Sequence, residues 1–509
     1  MRRAARQFAK RIAVVQDGRQ YTFEQAWDRG VRLANALIGM GMRPGDRVAQ
    51  LQNNTIDAAD VLLACAIANL VRVPLYARNA RRAHFEMIEG TGCRLLITSP
   101  ELASETTGMV DEVPSLERIF VADGDYEDFL VQQSDVDPEL AIDENDYHII
   151  RHTGGTTGRS KGVTFSHGSW LAVARDWWVA LPPIDLGDKC IHMGPISHGS
   201  GYFFVPMWIS GAANVLQRRF DPAQALEIME RQDINFAFVV PAIMSALLEQ
   251  PDVTRRDWSR LKLMCIGAAP IPERLARRGI EVFGPVLYQT YGQTEVTPAT
   301  VISPKEWLSE VPGSAPIRSA GRATPYTEVR IVDPETREPL PIGAEGEIAV
   351  RAAGAMKFFW NDPAATRERL VDGWVLTSDL GRMDVNGYLY VLDRKQDMII
   401  SGGFNIYPAE LENVILAHPQ VIEVAVFPIP HVKWGETPAA VCVVRDIAGI
   451  TEDEVMELCG TSLGRYKRPG KVVITTEPLP RTPVGKVAKK VLREPYWGSH
   501  QRRVSGGQA

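Results

Sequence analysis

The chain has 509 residues, 45% of them apolar and 23% charged, which excludes a disordered or fibrous protein and exceeds what one simple core accommodates. Fifty-six Lys and Arg against 62 Asp and Glu leave a net charge of −6, so there is no general basic field for a nucleic acid or an anionic membrane, and any phosphate chemistry has to be local. Six scattered cysteines, with no C-x-x-C pair and no His at metal-ligand spacing, exclude a disulfide framework and a zinc site and read as buried free thiols of a cytoplasmic protein.

The basic start, MRRAARQFAKRIAVV, lacks the apolar region and cleavage site of a secretory signal, and the most apolar helical stretch, 61–70, is about half the length that spans a bilayer. Thr22 and Gln25 form a capping box. Trp27, Val31, Ala34 and Ile38 follow at 4-3-4 spacing, which predicts a helix with one apolar face that stops at Gly39 and Gly41. Gly39-x-Gly41-x-x-Pro44 is a poor dinucleotide fingerprint, because it follows a helix and lacks the third Gly. Strands at 47–51 and 71–76 around a helix at 57–70 give the β-α-β pattern of a parallel sheet. The alternation resumes with strands at 236–240, 261–266 and 286–289, and the Pro-, Ser- and Gly-rich stretch 303–325 predicts loop. After Asp393 the character changes. Short strands at 423–427, 440–444 and 472–475 surround a helix capped by Thr451 and Glu454, a small α+β lobe, and the polar tail 499–509 reads as flexible.

The strongest local signal is His152-Thr153-Gly154-Gly155-Thr156-Thr157-Gly158-Arg159-Ser160-Lys161-Gly162, directly after Ile149 and Ile150. Its glycines let backbone N–H groups approach an anion, its hydroxyls donate hydrogen bonds, and Arg159 and Lys161 add positive charge, which together describe a phosphate cradle. A Walker A loop would end Gly-Lys-Ser/Thr, whereas the order here is Ser160-Lys161-Gly162. Taken alone, the stretch also fits an ordinary turn.

Further motifs follow in order: Gly267-Ala268-Ala269-Pro270 after a strand, Tyr291-Gly292-Gln293-Thr294-Glu295, Asp372-Gly373-Trp374 with Thr377-Ser378-Asp379, and Asp393-Arg394-Lys395-Gln396-Asp397. Ser401-Gly402-Gly403-Phe404-Asn405-Ile406-Tyr407-Pro408 and Pro480-Arg481-Thr482-Pro483-Val484-Gly485-Lys486 complete the set. With these the chain resembles the adenylate-forming (AMP-binding) superfamily, acyl-CoA synthetase branch, from Arg6 to about Arg493. It departs from that pattern at Gly154 and Ser160 in the loop, at Ser378 in place of Gly, and at Gln396 in place of a charge. The resemblance implies an α/β fold: a large N-terminal domain of stacked βα lobes, residues 1–393, a hinge at 394–397, and a small α+β C-terminal domain at 398–498.

The reaction it implies is attack of a carboxylate on the α-phosphate of ATP, giving acyl-AMP and pyrophosphate, followed by transfer to coenzyme A. Two anions meeting at 4 Å repel by about 4 kcal/mol per charge pair at an effective dielectric of about 20, so cations are obligatory. Lys486 is expected to bridge carboxylate and α-phosphate, Thr294 to donate to that phosphate, and Glu295 with Thr157 to hold Mg²⁺. Thr153, Gly155, Thr156, Thr157, Gly158 and Lys161 would cradle the phosphates. Tyr291 and Gly292 would face adenine opposite Gly267, Ala268, Ala269 and Pro270, and Asp379 and Arg394 would take the ribose. His198, in Pro195-Ile196-Ser197-His198-Gly199-Ser200-Gly201, would line the acyl site near the carboxylate, with Tyr202, Phe203, Phe204, Trp208 and residues 240–244 as walls. The small residues Gly199, Gly201, Gly267 and Ala268 predict room for a bulky acyl group. Gly402 and Gly403 match the CoA-ligase form of their element.

Singly, Lys486 also fits a solvated lysine, Tyr291 a core tyrosine and His198 a structural histidine; the order of the motifs favours the functional reading. The implied partners are a small carboxylic acid and CoA, with no nucleic acid and no integral membrane segment, and with room for a homodimer. Two rivals remain: an adenylating enzyme that loads a carrier protein or stops at acyl-AMP, and an inert nucleotide-binding homologue. A P-loop ATPase fails on the missing Walker lysine.

Overall fold

A capping box starts the first long helix, Phe23–Gly39: the Gln25 N–H donates to Thr22 Oγ1 at 3.2 Å and the Thr22 N–H to Gln25 Oε1 at 2.9 Å. Val31 and Ala34 lie on its buried stripe, but Ile38 is 36% exposed, so the apolar face ends one turn earlier than the spacing predicts. Gly41, at φ +88°, turns the chain out of the helix as expected. The next helix, Ile56–Ile67, buries ten of its twelve residues, because it is held between the first helix and sheet strands. Gly30 permits that crossing: a Cβ there would lie 2.7 Å from Leu63 Cβ. Within this helix Asp60 is covered but paired, accepting two hydrogen bonds from the Arg29 guanidinium at 2.7 and 3.1 Å and one from the Tyr126 hydroxyl at 3.1 Å.

The computed structural model describes residues 1–153, 160–269, 271–395, 397–482 and 487–497. Among these, four sheets form the frame. In the seven-stranded sheet, Arg47–Leu51 runs parallel to Val71–Pro74 and Leu95–Thr98, and Tyr147–His152 parallel to Val71–Pro74. Gly162–Ser166 and Phe358–Phe359 then close one edge antiparallel. The nine-stranded sheet has Phe236–Val239, Leu263–Ile266 and Leu287–Gln293 as parallel neighbours and is likewise antiparallel at both edges. The expected parallel order therefore holds through the interior of the nine-stranded sheet and, in the seven-stranded one, out to the edge strand Arg118–Val121, and fails at the antiparallel edges. An antiparallel five-stranded sheet carries Trp374–Met383 and Leu389–Arg394. The last sheet, with Val421–His431, Gly435–Val444 and Lys471–Thr475, packs its apolar face on Pro408–Leu416 and Glu452–Leu463, the latter helix capped by Thr451 and Glu454 as predicted. The fold is the α/β class with a large N-terminal and a small C-terminal part.

One expectation is corrected. The stretch 303–325 is not loop throughout: it holds the helix Pro304–Trp307, started by a Ser303/Glu306 capping box, and the short strand Arg322–Ala323. Trp307 anchors it, fully buried, with its indole N–H donating to Ile317 O at 3.2 Å. Burial of one large ring outweighs the turn-forming composition. All six cysteines are free and buried, as read, and burial pushes every thiol pKa up.

His192 ties the nine-stranded sheet to the turn Gly199–Phe203. Its Nε2–H donates to Asn214 Oδ1 at 2.8 Å and Nδ1 accepts from Ser200 Oγ at 2.9 Å, so both ring nitrogens are satisfied in the neutral form that burial favours. Burial pushes its pKa down to about 4. The stability this neutral ring contributes is complete above its unfolded pKa of about 6.5 and is lost as pH falls towards about 4, an effect of about 3 kcal/mol. His192→Gln should remove close to one proton from the uptake on unfolding in that window, read as the slope of unfolding free energy against pH. An unchanged slope would mean that the ring already titrates normally in the folded state.

Candidate active site

The phosphate-loop signal sits between Tyr147–His152 and Gly162–Ser166, adjacent antiparallel strands whose ends hold its base. The Thr153 N–H donates to Lys161 O at 3.0 Å and the Lys161 N–H to Thr153 Oγ1 at 3.3 Å. Ser160, which departs from the family proline, donates its hydroxyl to the Thr153 carbonyl and so takes over part of the closure. Lys161 Nζ stands 5.2 Å over the Phe359 ring. Gly155, Thr156, Thr157 and Gly158 lie outside the described residues, as do Pro270, Gln396 and Lys486.

The segment after this edge reaches the nucleotide motifs. The Met356 N–H donates to Glu295 O at 2.8 Å and the Trp360 N–H to Gly162 O at 2.7 Å, tying the loop's exit strand to the end of the Tyr291-to-Glu295 motif. Tyr291 does not present a free ring edge: its hydroxyl donates to Asp379 Oδ2 at 2.8 Å. Burial and the neighbouring carboxylate push the phenol pKa well above its usual value, so it stays a donor. Gln293 Nε2 donates to the same Asp379 oxygen at 2.6 Å and to Thr377 O at 2.8 Å. Asp379 Oδ1 faces Arg394 Nε at 3.6 Å. Glu295, 7% exposed, has the Arg369 guanidinium 3.6 Å from Oε1. Gly292 makes the turn between these residues possible, since a Cβ there would lie 2.8 Å from Thr297 Oγ1. Thr294 sits within this turn, half-buried.

Thus Tyr291, Glu295, Asp379 and Arg394 come together, and sequence reasoning missed two members of the group. Gln293 was passed over as a variable position inside a motif, and Arg369 lies at the end of helix Pro363–Arg369, outside every motif. Its location in an Arg-Glu-Arg run looks like any solvated helix end.

In the segment expected to line the acyl group, His198 caps the turn Gly199–Phe203, with Nδ1 3.5 Å from Arg151 Nη2 and its ring centroid 6.5 Å from that of Tyr76. Arg151 is buried, its guanidinium 4.2 Å above the Tyr202 ring. The expected room for a bulky acyl group is corrected here. A Cβ on Gly199 would lie 2.8 Å from Phe238 Cε1, and one on Gly267 would lie 2.7 Å from Thr290 Cγ2 and 3.2 Å from Phe238 Cζ. Gly201 is pressed against the Ile196 carbonyl, which a Cβ would approach to 2.0 Å. These small residues admit protein atoms, Phe238 above all. Ala268, at φ +69°, turns the chain away from the strand, and Ala269 follows it. Phe204 and Trp208 are corrected from pocket walls to core: they stack on each other, and Trp208 packs on Phe23 with centroids 4.7 Å apart.

Phe238→Ala should therefore open space between Gly199 and Gly267. The expected cost is about 3 to 5 kcal/mol of stability, with a gain of about tenfold in the kcat/KM ratio of a bulky over a short acid. An unchanged ratio in a folded variant would place the acyl group elsewhere.

Gly402 and Gly403 lie beyond the nucleotide group, in the C-terminal sheet hairpin Ile399–Ser401 and Phe404–Ile406, at φ +57° and +85°. A Cβ on Gly402 would meet the Trp434 ring at 2.8 Å. No group of three or more His, Cys, Asp or Glu among the described residues could hold a metal ion by itself.

The AMP-binding enzyme family matches residues 1–360 and the AMP-binding enzyme C-terminal domain matches residues 410–486. The chain belongs to this adenylate-forming family, on its acyl-CoA synthetase branch. It is similar to the feruloyl-CoA synthase of Amycolatopsis sp, 35% identical over 504 residues that span 97% of this chain and 98% of that protein. It is 33% identical over 474 residues, 91% of each chain, to the indoleacetate–CoA ligase of Aromatoleum aromaticum. ATP-bound MatB from Rhodopseudomonas palustris superposes with a TM-score of 0.87 at 30% identity, covering 98% of this chain and 99% of that one.

Proposed function

We propose that this protein is an ATP-dependent acyl-CoA synthetase: it activates a carboxylic acid as acyl-AMP with release of pyrophosphate and passes the acyl group to coenzyme A. The observation that carries this reading is the convergence of Tyr291, Gln293, Asp379, Arg394 and Glu295 at the end of the strand pair that holds the phosphate loop. Asp379 Oδ2 is occupied by two donors, which leaves Oδ1 to meet the ribose hydroxyls, with Arg394 beside it. Thr153, Gly155, Thr156, Thr157, Gly158 and Lys161 take the phosphates, and Thr294 donates to the α-phosphate.

In the first step a carboxylate oxygen bonds to the α-phosphorus as the bond to the β-phosphate breaks and pyrophosphate leaves. Lys486 brings the two anions together as a compact charge. In the second step the CoA sulfur attacks the acyl carbon, AMP departs with the electron pair, and the thiol proton goes to solvent. His198 lines the acyl site beside the reacting carboxylate, and Gly402 and Gly403 shape the approach of CoA. A single buried carboxylate, Glu295, suits Mg²⁺, which is commonly held by one or two carboxylates plus substrate phosphates; Thr157 would assist, and the ion would spread positive charge over those phosphates.

We place the large domain at 1–393, the hinge at 394–397 and the small domain at 398–498, with Lys486 on the small domain. No helix among the described residues is long and apolar enough to cross a membrane, and the free buried thiols fit a cytoplasmic setting. Transfer to a carrier protein is the weaker reading, because the Ser401-to-Pro408 element has the CoA-ligase form.

The test is a panel of aliphatic, aryl and terpenoid acids scored for pyrophosphate with and without CoA. Thioester formation with at least one acid is the expected result, whereas acyl-AMP that accumulates whether or not CoA is present would refute the transfer step.

A further inference from the structure

Arg369 stands at a junction that none of the family motifs marks. Its Nη2 donates to Gln293 Oε1 at 2.9 Å, its Nη1 donates to Ser378 Oγ, and the guanidinium lies 3.6 Å from Glu295 Oε1. The side chain is only 16% exposed, and Nε is buried without a hydrogen-bond partner. A guanidinium only donates, so Oε1 of the Gln293 amide faces Arg369 while Nε2 donates to Asp379 Oδ2 and Thr377 O, and Arg369 anchors the end of the side chain that those two acceptors leave. Asp379 Oδ2 is in this way occupied by Gln293 and Tyr291, and Oδ1 is presented on the Arg394 side.

Ser378 explains how the arginine is held. It sits at φ +55°, a left-handed conformation that favours glycine, and the resemblance expects glycine at this position. The strained residue is fastened at three atoms: its N–H donates to Glu347 Oε1 at 2.8 Å, its carbonyl accepts from the Lys395 N–H at 2.9 Å, and its hydroxyl accepts from Arg369. Glycine would leave that third link unmade. The serine and the arginine thus form one device, each giving the other a reason to be there.

We infer that Arg369, anchored by Ser378, is a positioning residue for ribose recognition, acting through the Gln293 amide on Asp379. This rests on the proposed reading of Asp379 as the ribose acceptor. Without Arg369 the Gln293 Oε1 loses its donor and the side chain is held only through Nε2, so the amide that fixes the Asp379 carboxylate loses one of its anchors. Arg369 also faces Glu295, so its removal frees that carboxylate for a cation. Nucleotide recognition and Mg²⁺ affinity should therefore move in opposite directions, which general loosening of the fold would not produce.

The experiment compares kcat/KM for ATP and 3′-deoxy-ATP in the wild type, Arg369→Met, Arg369→Lys, Ser378→Gly and the Arg369→Met/Ser378→Gly double variant, with the Mg²⁺ requirement and the melting temperature of each. A hydrogen bond to a charged group corresponds to about 10- to 100-fold preference for ATP in the wild type. In Arg369→Met that preference should fall to about threefold or less, with KM for ATP raised about tenfold and half-maximal Mg²⁺ lowered. Arg369→Lys should keep part of the preference through its own donor to Gln293, and the double variant should be no worse than Arg369→Met, as members of one device require. A preference that persists in Arg369→Met, even with a lowered melting temperature, would overturn the inference and leave the enzyme assignment intact. A wild type that treats both nucleotides alike would overturn the ribose assignment of Asp379 and this inference with it. Should Arg369→Met fail to fold, a wild-type preference in Ser378→Gly together with full retention in Arg369→Lys would likewise refute the coupling.

Discussion

Lys486→Ala is expected to lower acyl-AMP formation by about 10²- to 10³-fold while thioester formation from supplied acyl-AMP proceeds at the wild-type rate. The reason is electrostatic. Carboxylate and triphosphate repel by about 4 kcal/mol per charge pair at 4 Å and an effective dielectric of about 20, and a lysine between them removes that term only while both anions are present. Once acyl-AMP has formed, the carboxylate charge is gone and the second step meets no such repulsion. Single-turnover measurement of each half-reaction separates the two cases, and an equal loss in both would show that Lys486 is not the cation of the first step.

Asp379→Ala should lower kcat/KM for ATP by about 10²- to 10³-fold, because it deletes the proposed ribose acceptor and strands two donors. The Tyr291 hydroxyl and Gln293 Nε2 both end on Asp379 Oδ2, at 2.8 and 2.6 Å, and each buried donor left unmade costs about 1–3 kcal/mol. The loss should appear in KM for ATP with little change in KM for the acid. A variant that binds ATP normally and the acid poorly would move Asp379 out of the nucleotide site.

What could be read from the sequence was what local chemistry decides. The Thr22/Gln25 and Thr451/Glu454 capping boxes mark their helices because the bonds lie within three residues of each other. The strand Arg47–Leu51 is placed by the Pro44-Gly45 turn just before it. Most of the nucleotide group could be named because its members lie in ordered motifs. Arg369 could not, since its meaning comes from Gln293, Glu295 and Ser378, which the chain brings to it only in three dimensions. Phe238 was overlooked for the opposite reason: an aromatic in an apolar strand looks like core, and only packing shows it lying against Gly199 and Gly267. The helix Pro304–Trp307 was hidden by its own turn-forming composition until the burial of Trp307 revealed why the chain folds back there.

The central claim is that ATP is cleaved between its α- and β-phosphates by a carboxylate. Its most direct test is isotope exchange of labelled pyrophosphate into ATP, with and without a carboxylic acid and in the absence of CoA. The account predicts exchange that depends on the acid and falls by about 10²- to 10³-fold in Lys486→Ala; exchange independent of any acid, or ATP turnover that yields ADP and orthophosphate with no exchange, would contradict it.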